Sequence, residues 1–205
     1  MTVKDQAKLI IEKFPRNHEE RDPFRVLIRT ILSQRSRDEN TDEAAERLFK
    51  AGYDTPEKLA SAKSEELYNL IRPAGMFRQK ARRIIEVSKE ILKRFGGEVP
   101  DTLEDLVSLP GVGRKTANIV LYVSFGKPAL AVDTHVHRIS NRLGWVKTKV
   151  PEQTEIELMK ILPEELWGPI NGSMVEFGRN VCLPRNPKCA LCPLKEECPS
   201  ANTKG

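Results

Sequence analysis

The chain has 205 residues, 39% of them hydrophobic, and its 34 basic and 29 acidic side chains leave a net charge of +5 and a pI near 9.0. That length fits one large or two small domains, and the basic surplus suits a polyanionic partner without separating a nucleic-acid-binding protein from an ordinary basic enzyme. No apolar run approaches the roughly 20 residues of a membrane span, and Met1-Thr2-Val3-Lys4-Asp5 lacks the apolar core of a secretion signal. The expectation is a soluble, cytoplasmic protein with no membrane partner.

In chain order, residues 5–14 read as a helix with Ala7, Ile10, Ile11 and Phe14 on one side. Asp22 caps a second helix with Pro23 at its first position, and Phe24, Leu27, Ile28, Ile31 and Leu32 follow the 3.6-residue period. After Ser33-Gln34-Arg35-Ser36-Arg37-Asp38 a third helix carries Ala44, Ala45, Leu48 and Phe49. Thr55-Pro56 opens a short helix, and Ser64 caps the next, which buries Leu67, Leu70 and Ile71 before Gly75 breaks it. A longer helix over about 78–94 stops at Gly96-Gly97. Thr102 caps a helix that ends at Pro110, and another begins at Gly113.

The apolar run Ala129–Val132 delivers Asp133 to a further helix start, and helices over about 152–162 and 164–182 follow. No stretch alternates at period two, so the fold class is all-α. A weak internal echo links Asp54-Thr55, Gly75 and Lys80-Ala81 with Asp101-Thr102, Gly111 and Lys115-Thr116-Ala117.

Chemistry concentrates in two places. The first is the turn Leu109-Pro110-Gly111-Val112-Gly113-Arg114-Lys115-Thr116-Ala117. Gly111 and Gly113 permit positive φ and close backbone approach, and the start of the helix that follows favours an anion such as phosphate. Backbone contacts of that kind grip a strand without reading its bases. Lys115 stands one turn away, and Asp133 lies eighteen residues further on in Ala131-Val132-Asp133-Thr134-His135.

The second place is the C-terminal stretch, where Cys182, Cys189, Cys192 and Cys198 fall within seventeen residues as Cys-x6-Cys-x2-Cys-x5-Cys. In a reducing compartment such clustering favours a metal centre over disulfides. Four thiolates suit tetrahedral zinc or a [4Fe–4S] cluster. The lone Cys-x2-Cys leans towards zinc, although zinc ribbons usually pair two such knuckles. His135 and His137 share no helix face and have no accompanying ligand pattern, so they read as structural or substrate-adjacent histidines.

The segment from Leu109 to Leu143, including Val132-Asp133-Thr134-His135-Val136-His137-Arg138-Ile139 and Asn141-Arg142, resembles the helix-hairpin-helix motif of the endonuclease III superfamily of DNA glycosylases. The likeness continues into the cysteine loop, whose spacing agrees with the family's cluster motif, and more loosely back to about residue 20. It implies two helical lobes with the active-site cleft between them. One is a six-helix barrel over 21–128, with the helix-hairpin-helix at about 102–125. The other joins 1–20 to 129–205 and carries a [4Fe–4S] cluster on the loop 182–198.

The resemblance further implies a monomeric, bifunctional DNA glycosylase and abasic-site lyase. It would remove oxidised pyrimidines from double-stranded DNA and nick at the abasic site. Lys115 is then the nucleophile and Asp133 its carboxylate partner. Attack needs an unprotonated amine, while lysine ordinarily titrates near 10.4. Desolvation or a neighbouring cation such as Arg114 must free the lone pair, and Asp133 would stabilise the oxocarbenium-like sugar and move protons.

Because a base inside a duplex must be flipped out, the family's two inserting loops map here to Gly75-Met76-Phe77 and Ser33-Gln34-Arg35-Ser36. Met76 is the candidate wedge. The family's usual glutamine falls one place later, at Arg35, which leaves open whether Gln34 or Arg35 enters the helix. Gly111, Gly113, Arg114, Arg185 and Lys188 complete the expected DNA contacts. Arg29 stands roughly where the adenine-excising branch needs an acid, which argues against that branch. Two alternatives remain: a glycosylase for thymine or uracil mispaired with guanine, and a non-catalytic DNA-binding module.

Overall fold

A computed structural model describes residues 1–201. Eleven α-helices are present among them, and no strand is. The helices are α1 (Val3–Lys13), α2 (Pro23–Leu32), α3 (Asp38–Lys50), α4 (Pro56–Ala60), α5 (Ser64–Ile71), α6 (Phe77–Phe95), α7 (Leu103–Val107), α8 (Arg114–Phe125), α9 (Thr134–Arg142), α10 (Pro151–Ile161) and α11 (Glu164–Asn180). Three short 3-10 turns are also present among the described residues, Arg72–Ala74 between α5 and α6, and Cys189–Leu191 and Lys195–Glu197 after α11. The chain divides into two compact units, one of Glu19–Gly126 and one joining Met1–His18 to Lys127 and beyond.

In the Glu19–Gly126 unit the most apolar helix is α2, and it packs against α3, α6 and α8. Seven of its ten residues are buried, as expected of a helix surrounded by others. The Asp22 carboxylate caps it by accepting the Arg25 N–H at 2.9 Å, and Pro23 sits at the first position, where no donor is lost. Helix α6 buries the stripe Lys80, Ala81, Ile84, Ile85, Val87, Ser88 and Ile91 against α4 and α5, then ends at Gly96 in the left-handed region. Thr102 caps α7 through the Asp105 N–H, but α7 closes at Ser108, two residues short of Pro110. Ser64 is the first residue inside α5 and not its cap; Lys63 holds that place, with its N–H donating to Glu66.

In the other unit α1 and α9 both pack on α11. Their core joins Ala7, Ile10, Val136, Ile139, Met174 and Phe177, with the Phe14 and Phe177 rings 4.9 Å apart. Trp145 donates its indole N–H to Gln6 at 2.5 Å, fastening the N-terminal helix to the loop after α9. Leu194, fully buried, anchors the cysteine loop in the same core.

Candidate active site and cysteine cavity

The hairpin turn is shaped by one glycine more than by two. Gly111 has φ +74°, a conformation costly for any residue with a Cβ. Gly113, by contrast, is the N-cap of α8 with an ordinary φ of −93°, so the expectation that both glycines use positive φ holds only for Gly111. Gly113 offers no side-chain cap to the first turn of α8, which leaves that helix start unobstructed by protein side chains at its cap. The turn is closed by the Val112 N–H on the Leu109 carbonyl at 3.2 Å, and Val112 and Leu109 are buried beneath it. Gly111, Gly113 and Arg114 are exposed; Lys115 is half-buried on the second residue of α8.

Two further loops of the same unit carry predicted DNA-contacting residues. At the end of α2, Arg35 sits in the left-handed region at φ +52° and is exposed. Its neighbour Gln34 is half-buried, and its side-chain oxygen accepts a hydrogen bond from Arg83 of α6 at 2.8 Å. Before α6, Met76 is 46% exposed and also left-handed, at φ +45°. Met76 is thus an exposed apolar residue held in a backbone conformation that side chains seldom adopt. Arg29 forms an ion pair with Asp42, with a 2.8 Å bond from its Nε.

Asp133 belongs to the other unit, as the N-cap of α9. Its Oδ1 accepts the Val136 N–H at 2.8 Å, which fixes the side chain at a helix start where negative charge is favoured. His135 and His137 on the next turn are engaged inside the fold. His137 Nδ1 bonds Thr154 at 2.7 Å, and His135 Nδ1 meets Arg138 at 3.1 Å. Gly178 of α11 makes room for that second pair, since a Cβ there would lie 2.5 Å from His135 Nδ1.

From α9 two arginines reach the cysteine loop. Arg138 donates to the Cys182 carbonyl at 2.9 Å, while Arg142 donates to the Leu183 and Pro184 carbonyls at 2.6 and 2.8 Å and lies 3.5 Å from Cys182 Sγ. Asp133 and the cysteines are thus held by the same helix. Both arginines fall within the segment that carries the hairpin likeness, but their bonds to the cysteine loop are not legible in that motif.

The four cysteines line one cavity of about 220 Å³, together with Arg142, Phe177 and Lys195. Burial pushes the thiols of Cys192 and Cys198 up, and neighbouring cysteines add to it. Such a donor set becomes thiolate only when a cation faces it. The Leu194 N–H is directed at Cys192 Sγ at 3.4 Å, a contact that suits a thiolate acceptor. Four such thiolates suit tetrahedral zinc or a [4Fe–4S] cluster. Arg185 and Lys188 are exposed on the loop between Cys182 and Cys189.

Residues 28–164 match the model of the HhH-GPD superfamily base excision DNA repair proteins. Endonuclease III of Thermotoga maritima is 63% identical over 203 residues, 99% of this chain and 95% of that protein. The chain belongs to the endonuclease III family. Endonuclease III of Bacillus subtilis is 42% identical, over 86% of this chain and 80% of that one. Among solved structures, a trapped endonuclease III–DNA covalent intermediate superposes with a TM-score of 0.89 at 39% identity, covering 98% of both chains. A thermostable thymine-DNA glycosylase gives 0.82 at 25% identity, over 97% of this chain and 95% of that one. The all-α endonuclease III fold implied by the hairpin and cysteine motifs is the one observed.

Proposed function

We propose that this member of the endonuclease III family is a bifunctional DNA glycosylase and abasic-site lyase that removes oxidised pyrimidines from duplex DNA. The observation that carries the reading is the half-buried lysine on the first turn of α8, behind the Gly111 turn, in a chain similar over 98% of its length to an endonuclease III trapped covalently on DNA.

Lys115 Nζ, as the free amine, attacks C1′ of the deoxyribose. The C1′–N bond breaks, and the damaged base leaves with its electron pair and takes up a proton. Ring opening gives a Schiff base between Nζ and C1′. Loss of a proton from C2′ then expels the 3′ phosphate by β-elimination, and water hydrolyses the Schiff base to release the enzyme. Asp133, held by its cap bond to Val136, is proposed to stabilise positive charge on the sugar and to carry protons. A carboxylate's charge favours ammonium over amine, so the role proposed for Asp133 lies with the sugar and not with activating the lysine.

For the strand contacts, Gly111, Gly113 and Arg114 offer a phosphate site at the start of α8. Arg185 and Lys188 offer a second. At the α2 loop, Gln34 is occupied by Arg83 whereas Arg35 is exposed at the apex; this favours Arg35 as the side chain that enters the helix, with Met76 as its counterpart.

Cys182, Cys189, Cys192 and Cys198 would hold a [4Fe–4S] cluster, for which the cavity volume and the donor set speak. Base excision transfers no electrons, so the cluster's contribution is to fix the shape of a basic loop. Loss of absorption near 400 nm (roughly where iron–sulfur charge transfer falls for such ligation) in Cys192→Ser would support this assignment, and stoichiometric zinc in the purified protein would refute it. Excision from a thymine-glycol duplex against a T·G duplex tests the substrate class. Preference for the mismatch would favour the thymine-glycosylase reading that the second structural likeness raises.

A further inference from the structure

One ionisable group in the Glu19–Gly126 unit has no part in that chemistry. Lys80 is only 1% exposed and is among the largest fully buried side chains of the described residues. Its ammonium donates to the carbonyls of Leu32 and Ala74, both at 2.8 Å. Each of these carbonyls is the last of a helical segment, α2 in one case and the Arg72–Ala74 turn in the other. Terminal carbonyls lack intrahelical partners and sit at the negative end of the dipole, so a buried cation suits them. Burial, reinforced by nearby Arg83, pushes this lysine down to about 8. A methionine would fill similar volume without desolvating a charge, so the amine's particular contribution is its donors.

What begins after those two carbonyls matters more. Leu32 is followed by Ser33-Gln34-Arg35, and Ala74 by Gly75-Met76. One turn along α6, Arg83 holds Gln34, and its Cδ would lie 3.6 Å from a Cβ on Gly111. One helix therefore braces all three loops.

Resting on the function proposed above, we infer that Lys80 is a positioning residue for base extrusion. By holding the ends of α2 and of the Arg72–Ala74 turn on one ammonium, it fixes the separation of Arg35 and Met76, the two side chains that enter the duplex. Two probes that must fill one gap tolerate little misplacement, since errors of about 1 Å can cost on the order of 100-fold in rate.

The test compares two substrates on Lys80→Met. A thymine-glycol duplex requires extrusion; a preformed abasic site in single-stranded DNA does not. The variant should lose tenfold or more on the duplex, in kcat more than in KM, and stay within about twofold on the single strand. Lys80→Gln, which keeps donors, should recover part of the duplex activity, and it carries the test should Lys80→Met fail to fold. Leu59→Ala, a buried truncation elsewhere in the unit, controls for lost stability and should affect both substrates in parallel. Parallel losses in the Lys80 variants, or no loss, would overturn the inference. Fluorescence of 2-aminopurine opposite a tetrahydrofuran abasic analogue reports loop insertion without chemistry. It should rise with wild type and not with Lys80→Met; an equal rise would also overturn it. An inactive wild type would count against the proposed function while this arm still judges Lys80.

Discussion

Helices α6 and α8 begin alike. Each follows a glycine of positive φ, Gly75 at +70° and Gly111 at +74°, and each carries a lysine near its start, Lys80 and Lys115. The sequence echo between Lys80-Ala81 and Lys115-Thr116-Ala117 falls on these two helix starts. The difference is depth and phase. Lys80 is the fourth residue of α6 and points into the apolar stripe, where two carbonyls hold its ammonium. Lys115 is the second residue of α8 and half-buried, with solvent access left for a substrate. Two residues of helical phase separate the proposed brace from the proposed nucleophile.

The sharpest way to break this comparison is to remove each amine in turn. Lys115→Gln should abolish nicking and borohydride trapping, a fall of roughly 1000-fold or more. Lys80→Met should still be trapped on a preformed single-stranded abasic site. Nicking by Lys115→Gln at the wild-type rate would reverse the roles.

The two turns make a smaller contrast. Gly111→Ala places a Cβ in the left-handed region, at a cost of about 1–2 kcal/mol, and denaturant melts should show it. Met76→Gly should do the opposite, gaining on the order of 1 kcal/mol because strain at φ +45° is relieved, while duplex excision falls several-fold. A Met76→Gly protein that excises normally would remove the wedge from the account.

A further effect is on stability against pH. Lys80 titrates near 8 in the fold and near 10.4 when unfolded. Between those values the unfolded chain binds more protons, so this group makes stability rise with pH through that window. Below about 8 both states are protonated and the burial cost stands in full. Melting curves of wild type and Lys80→Met from pH 7.5 to 10 (a window set by those two values) should diverge in that direction, and a constant difference would contradict it.

Much of this was legible in the sequence because its signals were local. Asp22-Pro23 and Thr102 set helix starts, Gly96 an end, and the cysteine spacing a shared cavity. The Ser64 cap failed because Lys63 and Glu66 close that helix start by a main-chain contact from the first to the second. Pro110 overstated α7, whose last turn closes at Ser108. Apart from the echo, Lys80 stood out as a phase violation, a lysine in register with Ile84, Val87 and Ile91, and its partners lie 48 and 6 residues away. Arg83, Arg138 and Arg142 act through similarly distant carbonyls and side chains, which no helical period announces.

The most direct measurement is peptide mapping of the adduct formed when wild-type protein is incubated with a thymine-glycol duplex and borohydride. The sugar remnant should sit on the peptide containing Lys115 and on that residue. Its appearance on Lys80, on the N-terminal amine, or on any peptide of a Lys115→Gln protein would contradict the account.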